Sequence, residues 1–479
     1  MLESFLKKHF GYESFRTGQK EVIEAVIDKQ DVVALLPTGS GKSICYQLPA
    51  YILDGAVLVI SPLLSLMQDQ VEQLKKNGEK RVIAINSFLT RDQRQQVFLN
   101  LSNYRFIFVS PEMFSSNMFQ NAIRDVKLSL IAVDEAHCIS QWGFDFRPEY
   151  LQIGEFLNRG NRPPILALTA TATEQVMLDI QNYLGMKEAT KWISSVDRPN
   201  IAYQIIRTSN HSEKNNWIVQ HVAETVGPGI VYTQSRKKTL EITNLLKEKN
   251  VRAEAYHAGM DAQDRQLIQH QYIAGDLDWI ISTNAFGMGV HKPDIRQIIH
   301  DHMPSNTASY VQEVGRAGRD GEQSYATLLY SNEDEKFTKS VATMDYPNEY
   351  QMEQYDSYRL QGINPTTMVT DHLIAETSFR ILHYWMSRFS LDEVKIQIQK
   401  MQIEKINEVE LLKNSLLREQ CIRKGLNRYF GQNLESKPTL CCSNCGLPDS
   451  FIPINPKELV KAADELSWKD RITQLFMVK

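Results

Sequence analysis

Two short segments carry residue types suited to phosphoryl chemistry, and each closes an apolar run. Pro37-Thr38-Gly39-Ser40-Gly41-Lys42-Ser43 follows Val32 to Leu36, and Asp134-Glu135-Ala136-His137 follows Leu130-Ile131-Ala132-Val133. Gly39 and Gly41 let a loop turn so that its backbone N–H groups, with those of Thr38 and Ser40, surround phosphate oxygens. Lys42 can reach β and γ phosphates, and the Ser43 hydroxyl can ligate Mg²⁺. Asp134 would hold the same ion, while Glu135 beside it is placed to polarise an attacking water. A strict phosphate loop has glycine where this chain has Leu36, and acidic pairs after strands are common, so either segment alone also reads as an ordinary turn. Order and spacing together imply hydrolysis of a nucleoside triphosphate.

Such residues need strands that end on one side of a sheet. Val32 to Leu36, Val57 to Ile60, Val82 to Ile85, Phe106 to Val109, Leu130 to Val133 and Ile165 to Leu168 read as buried parallel strands. Helix-length segments such as Ser65 to Lys76 and Glu174 to Leu184 separate them, which predicts a doubly wound α/β sheet with ligands at its carboxyl edge. After Asp197-Arg198-Pro199-Asn200 the pattern restarts, with Gly229 to Tyr232, Ala253 to Tyr256, Trp279 to Ser282, Gln297 to His300 and Ala326 to Tyr330. From about Ser331 the composition turns helical and charged, and Leu391 to Leu417 is dense in Glu, Lys, Gln, Ile and Leu at helical spacing. The expected division is a first lobe over 1–200, a second over 201–335, a helical module over 336–450 and a tail over 451–479 with one or two helices.

A length of 479 residues is too great for one core. The net charge of -4 supplies no global field for a polyanion, so nucleic-acid contact must come from a local basic surface. No apolar run approaches the ~18 to 20 residues that span a bilayer, and the start, Met1 to Lys8, is not a signal peptide. The expectation is a soluble cytoplasmic protein, associated with the nucleoid if bacterial. Four of six cysteines fall between Cys421 and Cys445, a grouping that suggests metal in a reducing compartment.

Five further stretches extend the pattern. Phe10-Gly11-Tyr12-Glu13-Ser14-Phe15-Arg16-Thr17-Gly18-Gln19 precedes the phosphate loop, and His137-Cys138-Ile139-Ser140-Gln141-Trp142-Gly143-Phe144-Asp145-Phe146-Arg147-Pro148 follows the acidic pair. Leu168-Thr169-Ala170-Thr171-Ala172 is rich in hydroxyls, and Ser282 to Arg296 is rich in small residues. Gln312-Glu313-Val314-Gly315-Arg316-Ala317-Gly318-Arg319-Asp320-Gly321 carries two arginines. Together they resemble the RecQ family of superfamily 2 DNA helicases, over Phe10 to Cys445. The resemblance implies two tandem RecA-like lobes and a helical zinc-binding module. It also implies that Gln19 bonds the adenine edge of ATP, with Tyr12 and Arg16 on its faces. Arg319 would then be the arginine finger, with Arg316 contacting phosphate or organising the motif, and Gln312 on the nucleotide side.

Trp142, Phe144, Phe146 and Arg147 can stack on unpaired bases and pair with phosphate, or the aromatics are ordinary core residues. His257 and Asn284 are expected near a single-stranded path in the second lobe, although His257 reads almost equally as a satisfied buried histidine. A Gln19 amide matches adenine's donor and acceptor pair, and also suits a solvated helix position.

Cys421, Cys441, Cys442 and Cys445 offer four thiolates for tetrahedral Zn²⁺. The family pattern is Cys-x-x-Cys-x-x-Cys after the first cysteine, whereas here Pro448 stands last and Cys441 is extra. The alternative is a degenerate site whose thiols pack as small hydrophobes. The chain also stops soon after Cys445, where the family often continues into a winged-helix domain and a further helical one, so a short form is expected.

These readings add up to an ATP- and Mg²⁺-dependent, monomeric helicase on single-stranded and forked DNA. It would move 3′ to 5′ by resemblance and serve repair and recombination beside single-stranded-DNA-binding and other repair proteins. Alternatives are a translocase or remodeller that leaves duplexes intact, and a zinc-containing nucleic-acid binder gated by ATP. RNA as the strand also stays open.

Overall fold

Among the described residues thirteen short strands build two sheets, and the β-branched residues that dominate them fix both faces at once. In the computed structural model, residues 2–448 and Ile452 are described, apart from 63, 87–88, 141–146, 148, 158–161, 288–289, 291, 419 and 435. The first sheet comprises β1 (Val32–Leu35), β2 (Ala56–Ile60), β3 (Val82–Ile85), β4 (Phe106–Val109), β5 (Leu128–Val133), β6 (Ile165–Thr169) and β7 (Thr190–Ile193). Their order is β3-β4-β2-β5-β6-β1-β7, and every pairing is parallel. The second comprises β8 (Ile201–Arg207), β9 (Gly229–Tyr232), β10 (Ala253–Tyr256), β11 (Trp279–Ser282), β12 (Gln297–His300) and β13 (Ser324–Tyr330), in the order β10-β11-β9-β12-β13-β8. It too is parallel throughout.

Alternate residues of each strand feed opposite cores. Val33, Leu35, Leu58, Ile60, Ile107 and Val109 pack on one face of the first sheet, while Val32, Ala34, Val57, Val59, Phe106 and Phe108 pack on the other. The second sheet divides in the same way, Ile230 and Ile298 facing one core and Val231 and Ile299 the other. Each such side chain, fully buried, contributes about 1.5 to 3 kcal/mol. Parallel pairing then brings the carboxyl ends of β1, β5 and β6 to a common edge, with β6 between the other two.

The sequence reading of two parallel-sheet lobes followed by a helical region holds, with ends of β1, β2, β5, β6 and β13 shifted by one or two residues, and two strands escaped it. β7 is an edge strand whose residues are mostly exposed, so it lacks the apolar run that marks a buried strand. β8 is apolar at its start and fades to Arg207, because it is the opposite sheet's edge. Its outer side meets the cysteine cluster through a bridge from Tyr203 to Cys442, with Tyr203 N donating to Cys441 O at 3.1 Å.

Beyond the sheets lie helices Asn332–Thr343, Glu349–Leu360, Glu376–Met386, Leu391–Leu417 and Ile422–Tyr429. The 27-residue helix starts at a capping box made by Ser390 and Glu393. Its early residues Val394, Ile398 and Met401 close a small core with Tyr355, Phe379 and Leu382. Its later residues Val409, Leu412 and Leu416 enter the core of the second lobe.

Burial also encloses charge. Lys214 Nζ, fully buried, donates to both carboxylate oxygens of Asp334 at 2.7 and 2.6 Å and to Asp301 O at 2.8 Å. Asp334 sits at the start of helix Asn332–Thr343, where it also accepts from Ser331 N. This pair fastens the first helix after the second sheet to that sheet's outer layer. Lys214→Met leaves a buried carboxylate unpaired, and a loss of about 3 to 5 kcal/mol is expected, read as a lowered denaturation midpoint.

Candidate active site

The phosphate loop leaves β1 and turns back into a short helix, Ile44–Gln47. Gly39 and Gly41 have φ of 87° and 74°, a left-handed backbone that a side chain would strain. The preceding segment braces this loop from outside. Gln19 Nε2 donates to Ser40 O at 2.7 Å and Gly41 O at 3.0 Å, its Oε1 accepts from Arg16 N at 2.9 Å, and Arg16 Nη1 donates to Gly39 O. The Gln19 amide is therefore engaged at both ends by backbone groups, while Tyr12 stands half exposed at the rim.

Asp134 directly follows β5, and Glu135 comes next with φ 47° and ψ 46°, a rare conformation for a residue with a Cβ. The turn is held by Tyr150, whose hydroxyl donates to Asp134 O at 3.0 Å, and by Glu135 N donating to Asp134 Oδ1 at 3.0 Å. Burial and the charge of Glu135 push the Asp134 carboxyl up to about 6. Glu135 Oε1 lies 3.8 Å from Lys42 Nζ. Its Oε2 is buried with no hydrogen-bond partner among the described residues. His137 Nδ1 approaches that oxygen to 3.4 Å but bonds Thr169 Oγ1 at 3.0 Å, which links the acidic turn to the hydroxyl-rich segment after β6.

Across the cleft, helix Thr307–Val314 and the turn behind it bring Gln312, Arg316 and Arg319 to the same space. The cleft measures about 390 Å³ and is lined from the first lobe by Lys42, Ser43, Asp134 and Glu135. Arg319 lies so close over the loop that a methyl group on Gly39 would come within 2.9 Å of its Cγ. Arg316 packs against Gly287, where a Cβ would overlap its guanidinium. Arg319 Nη1 donates to Val290 O at 2.6 Å, and both arginines keep a buried Nε without a partner among the described residues. Burial lowers the Arg319 pKa to about 9, aided by the charges of Arg316 and Arg198. Tyr46, Gln47 and Gln70 also line the cleft, with Gln70 Oε1 accepting from Tyr46 at 3.3 Å and Gln47 at 2.8 Å. Sequence reading missed this trio because amides on helices carry no spacing signal.

Of the residues expected on nucleic acid, Trp142, Phe144 and Phe146 lie outside the described residues, as do Gly289 and the tail from Lys457. Arg147 is half-buried, donating to Pro62 O at 3.2 Å, with Nη1 3.7 Å from Glu112. His257 and Asn284 follow the neighbouring strands β10 and β11, whose register pairs Tyr256 with Ser282, so both emerge on one edge of the second sheet. Asn284 is exposed, and His257 Nδ1 is buried without a partner among the described residues.

Cys421, Cys441, Cys442 and Cys445 converge beside β8, their sulfurs all within 4.8 Å of one another. The nearest pairs are 3.4 Å (Cys442 and Cys445), 3.5 Å (Cys421 and Cys441) and 4.0 Å (Cys421 and Cys442). Four sulfurs about 2.3 Å from a tetrahedral zinc stand roughly 3.8 Å apart, so the set fits that ion without rearrangement of the chain. Burial and neighbouring sulfurs push the Cys442 thiol up to about 11, a cost that a divalent cation would remove.

Tandem parallel sheets, with a phosphate loop and acidic pair on one side of a cleft and paired arginines on the other, define the helicase class. Family models agree: a DEAD/DEAH box helicase model matches residues 16–180, and a helicase conserved C-terminal domain matches residues 213–321. The probable ATP-dependent DNA helicase RecS of Bacillus subtilis (strain 168) is 40% identical over 496 residues, spanning 100% of this chain and 98% of that protein. The ATP-dependent DNA helicase RecQ of Haemophilus influenzae is 42% identical over 362 residues, 75% of this chain. The match covers 58% of that RecQ protein's length. Among solved structures, the DUF1998 helicase MrfA bound to DNA superposes with a TM-score of 0.59 at 20% identity, covering 71% of this chain and 52% of that one, a likeness of fold. The chain belongs to the RecQ family of superfamily 2 helicases.

Proposed function

We propose that this protein is an ATP- and Mg²⁺-dependent DNA helicase that couples hydrolysis to movement along single-stranded DNA. The observation that carries the reading is the shared cleft, in which Arg316 and Arg319 of one lobe face Lys42, Ser43, Asp134 and Glu135 of the other. Lys42, 3.8 Å from Glu135 now, would turn to the β and γ phosphates and release that carboxylate. The unpartnered Glu135 Oε2 is then free to accept a proton from water. Ser43 and Asp134 would hold Mg²⁺, which neutralises charge on the transferred group when bound. Arg319, with Arg316 beside it, would stabilise the same charge from the second lobe, a contribution of roughly 10³ to 10⁵ in turnover where such fingers have been measured. Gln19, with Tyr12 and Arg16, would exchange its bonds to the loop for the adenine edge.

DNA as the strand is supported by the names of the RecS and RecQ relatives. Arg147, His257 and Asn284, with Trp142, Phe144 and Phe146, are the residues proposed to line its path. Movement 3′ to 5′, forked substrates, a role in repair and recombination and contact with single-stranded-DNA-binding proteins follow from the family. Cys421, Cys441, Cys442 and Cys445 are proposed to hold one zinc ion as a structural site, supported by the convergence of their sulfurs within 4.8 Å of one another.

ATP turnover should rise at least about tenfold with single-stranded DNA, Lys42→Ala should abolish it, and Trp142→Ala should flatten the stimulation. Equal rates with and without DNA would defeat the coupling, and stronger stimulation by a matched RNA would reassign the strand. A forked-duplex assay reads strand separation directly: hydrolysis without unwinding leaves a translocase. Native mass spectrometry is expected to give one zinc per chain. Chelation should lower the melting temperature, since structural zinc in small domains supplies roughly 10 to 16 kcal/mol of apparent binding energy. A zinc-free native protein would remove the site.

A further inference from the structure

Asp197-Arg198-Pro199-Asn200 joins β7 to β8, and its basic side chain behaves unlike a linker residue. Arg198 makes no ion pair among the described residues, and its guanidinium is spent on backbone carbonyls. Nη2 donates to Gly318 O at 2.6 Å and Ala317 O at 3.1 Å, while Nη1 donates to Gly315 O at 3.2 Å. The same Nη1 reaches Thr38 O of the phosphate loop at 3.5 Å. These three carbonyls belong to the turn that carries Arg316 and leads into Arg319. Asn200 Nδ2 adds bonds to Gly318 O and Glu322 O, both at 2.9 Å.

The backbone of Arg198 is itself anchored. Arg423, fully buried in helix Ile422–Tyr429, donates to Arg198 O at 2.9 Å, to Asp197 Oδ1 at 2.5 Å and to Ile201 O. One rigid linker thus presents a planar fork to both halves of the cleft. Confining a third cation beside Arg316 and Arg319 is electrostatically unfavourable, so packing alone does not account for its place. Burial lowers the Arg198 pKa, and the Arg198 charge contributes to lowering that of Arg319.

We propose that Arg198 is a positioning residue: by clamping the Gly315–Gly318 turn against the phosphate loop, it aims Arg316 and Arg319 at the terminal phosphate of bound nucleotide. The proposal rests on the hydrolytic reading above. A guanidinium suits the task because its fork bonds several carbonyls in one plane, which an ammonium cannot do. Nucleotide that shifts the loop at Thr38 would be sensed by the turn that supplies the arginines.

The test uses the full chain and compares Arg198→Met and Arg198→Lys with wild type and Arg319→Ala. In Arg198→Met, kcat with single-stranded DNA should fall at least about tenfold while KM for ATP stays within about threefold. ADP should bind within about threefold of wild type, but the gain in affinity on adding aluminium fluoride, which mimics the phosphoryl group in flight, should shrink about tenfold. Arg198→Lys should fall between the two, and carries the same readouts if Arg198→Met does not fold. Unchanged kcat and an intact aluminium fluoride preference would overturn the proposal. So would equal weakening of ADP and of ADP with aluminium fluoride, the mark of a merely structural role. Wild-type protein without turnover would instead remove the hydrolase reading, whereas loss in Arg319→Ala alone would remove only the role of Arg198.

Discussion

Positive charge crowded into the seam between the lobes is the constraint on which the rest of this structure depends. Arg198, Arg316 and Arg319 lie together between the lobes, Arg198 and Arg319 bonded to backbone carbonyls, and Lys42 faces them from the phosphate loop. Guanidinium groups in such surroundings repel one another until a polyanion enters, so the cleft is poised for an anionic guest. The fold answers that cost with rigid backbone: parallel strands end at one edge, and short turns hold each cation at a set distance from its neighbours.

The two acidic groups show the same economy of placement. Asp134 and Glu135 are adjacent in sequence, yet the left-handed turn at Glu135 sends them different ways. Burial and like charge raise the Asp134 carboxyl, which suits a group meant to meet a cation. Glu135 retains an unpartnered oxygen beside His137 and Thr169, the atoms that join this turn to the next strand. A change at the hydroxyl-rich segment can therefore reach the acidic turn through the bond between Thr169 and His137.

Much of this was legible in the sequence because buried parallel strands write continuous apolar runs, and phosphate loops require glycines at fixed places. Val82–Ile85, Phe106–Val109 and Leu391–Leu417 coincide with their expected limits. Edge strands leave weaker marks, and β7, mostly exposed, left none. Contacts made by side chain to backbone across long separations are also silent: nothing near Arg198 announces that its partners lie about 120 residues on. Gln19 was expected to bond the adenine edge or to sit solvated on a helix; it is buried, with its amide on the carbonyls of Ser40 and Gly41, contacts that no sequence spacing announces.

The long helix Leu391–Leu417 belongs to two cores, and that has a mechanical consequence. At 1.5 Å per residue it is a strut about 40 Å long, so each degree of tilt at its lobe end swings the other end by roughly 0.7 Å. The far end sits in a bundle that meets the first lobe through Tyr384, packed against its core, and through partly exposed pairs, Arg380 with Glu112 at 3.1 Å and Arg388 with Glu155 at 3.4 Å. Such pairs are worth about 0 to 1 kcal/mol each and re-form readily. With Tyr384 of the bundle packed on the first lobe's core and Leu412 buried in the second's, the strut ties both lobes together, and a small tilt at one end arrives at the other magnified by its length.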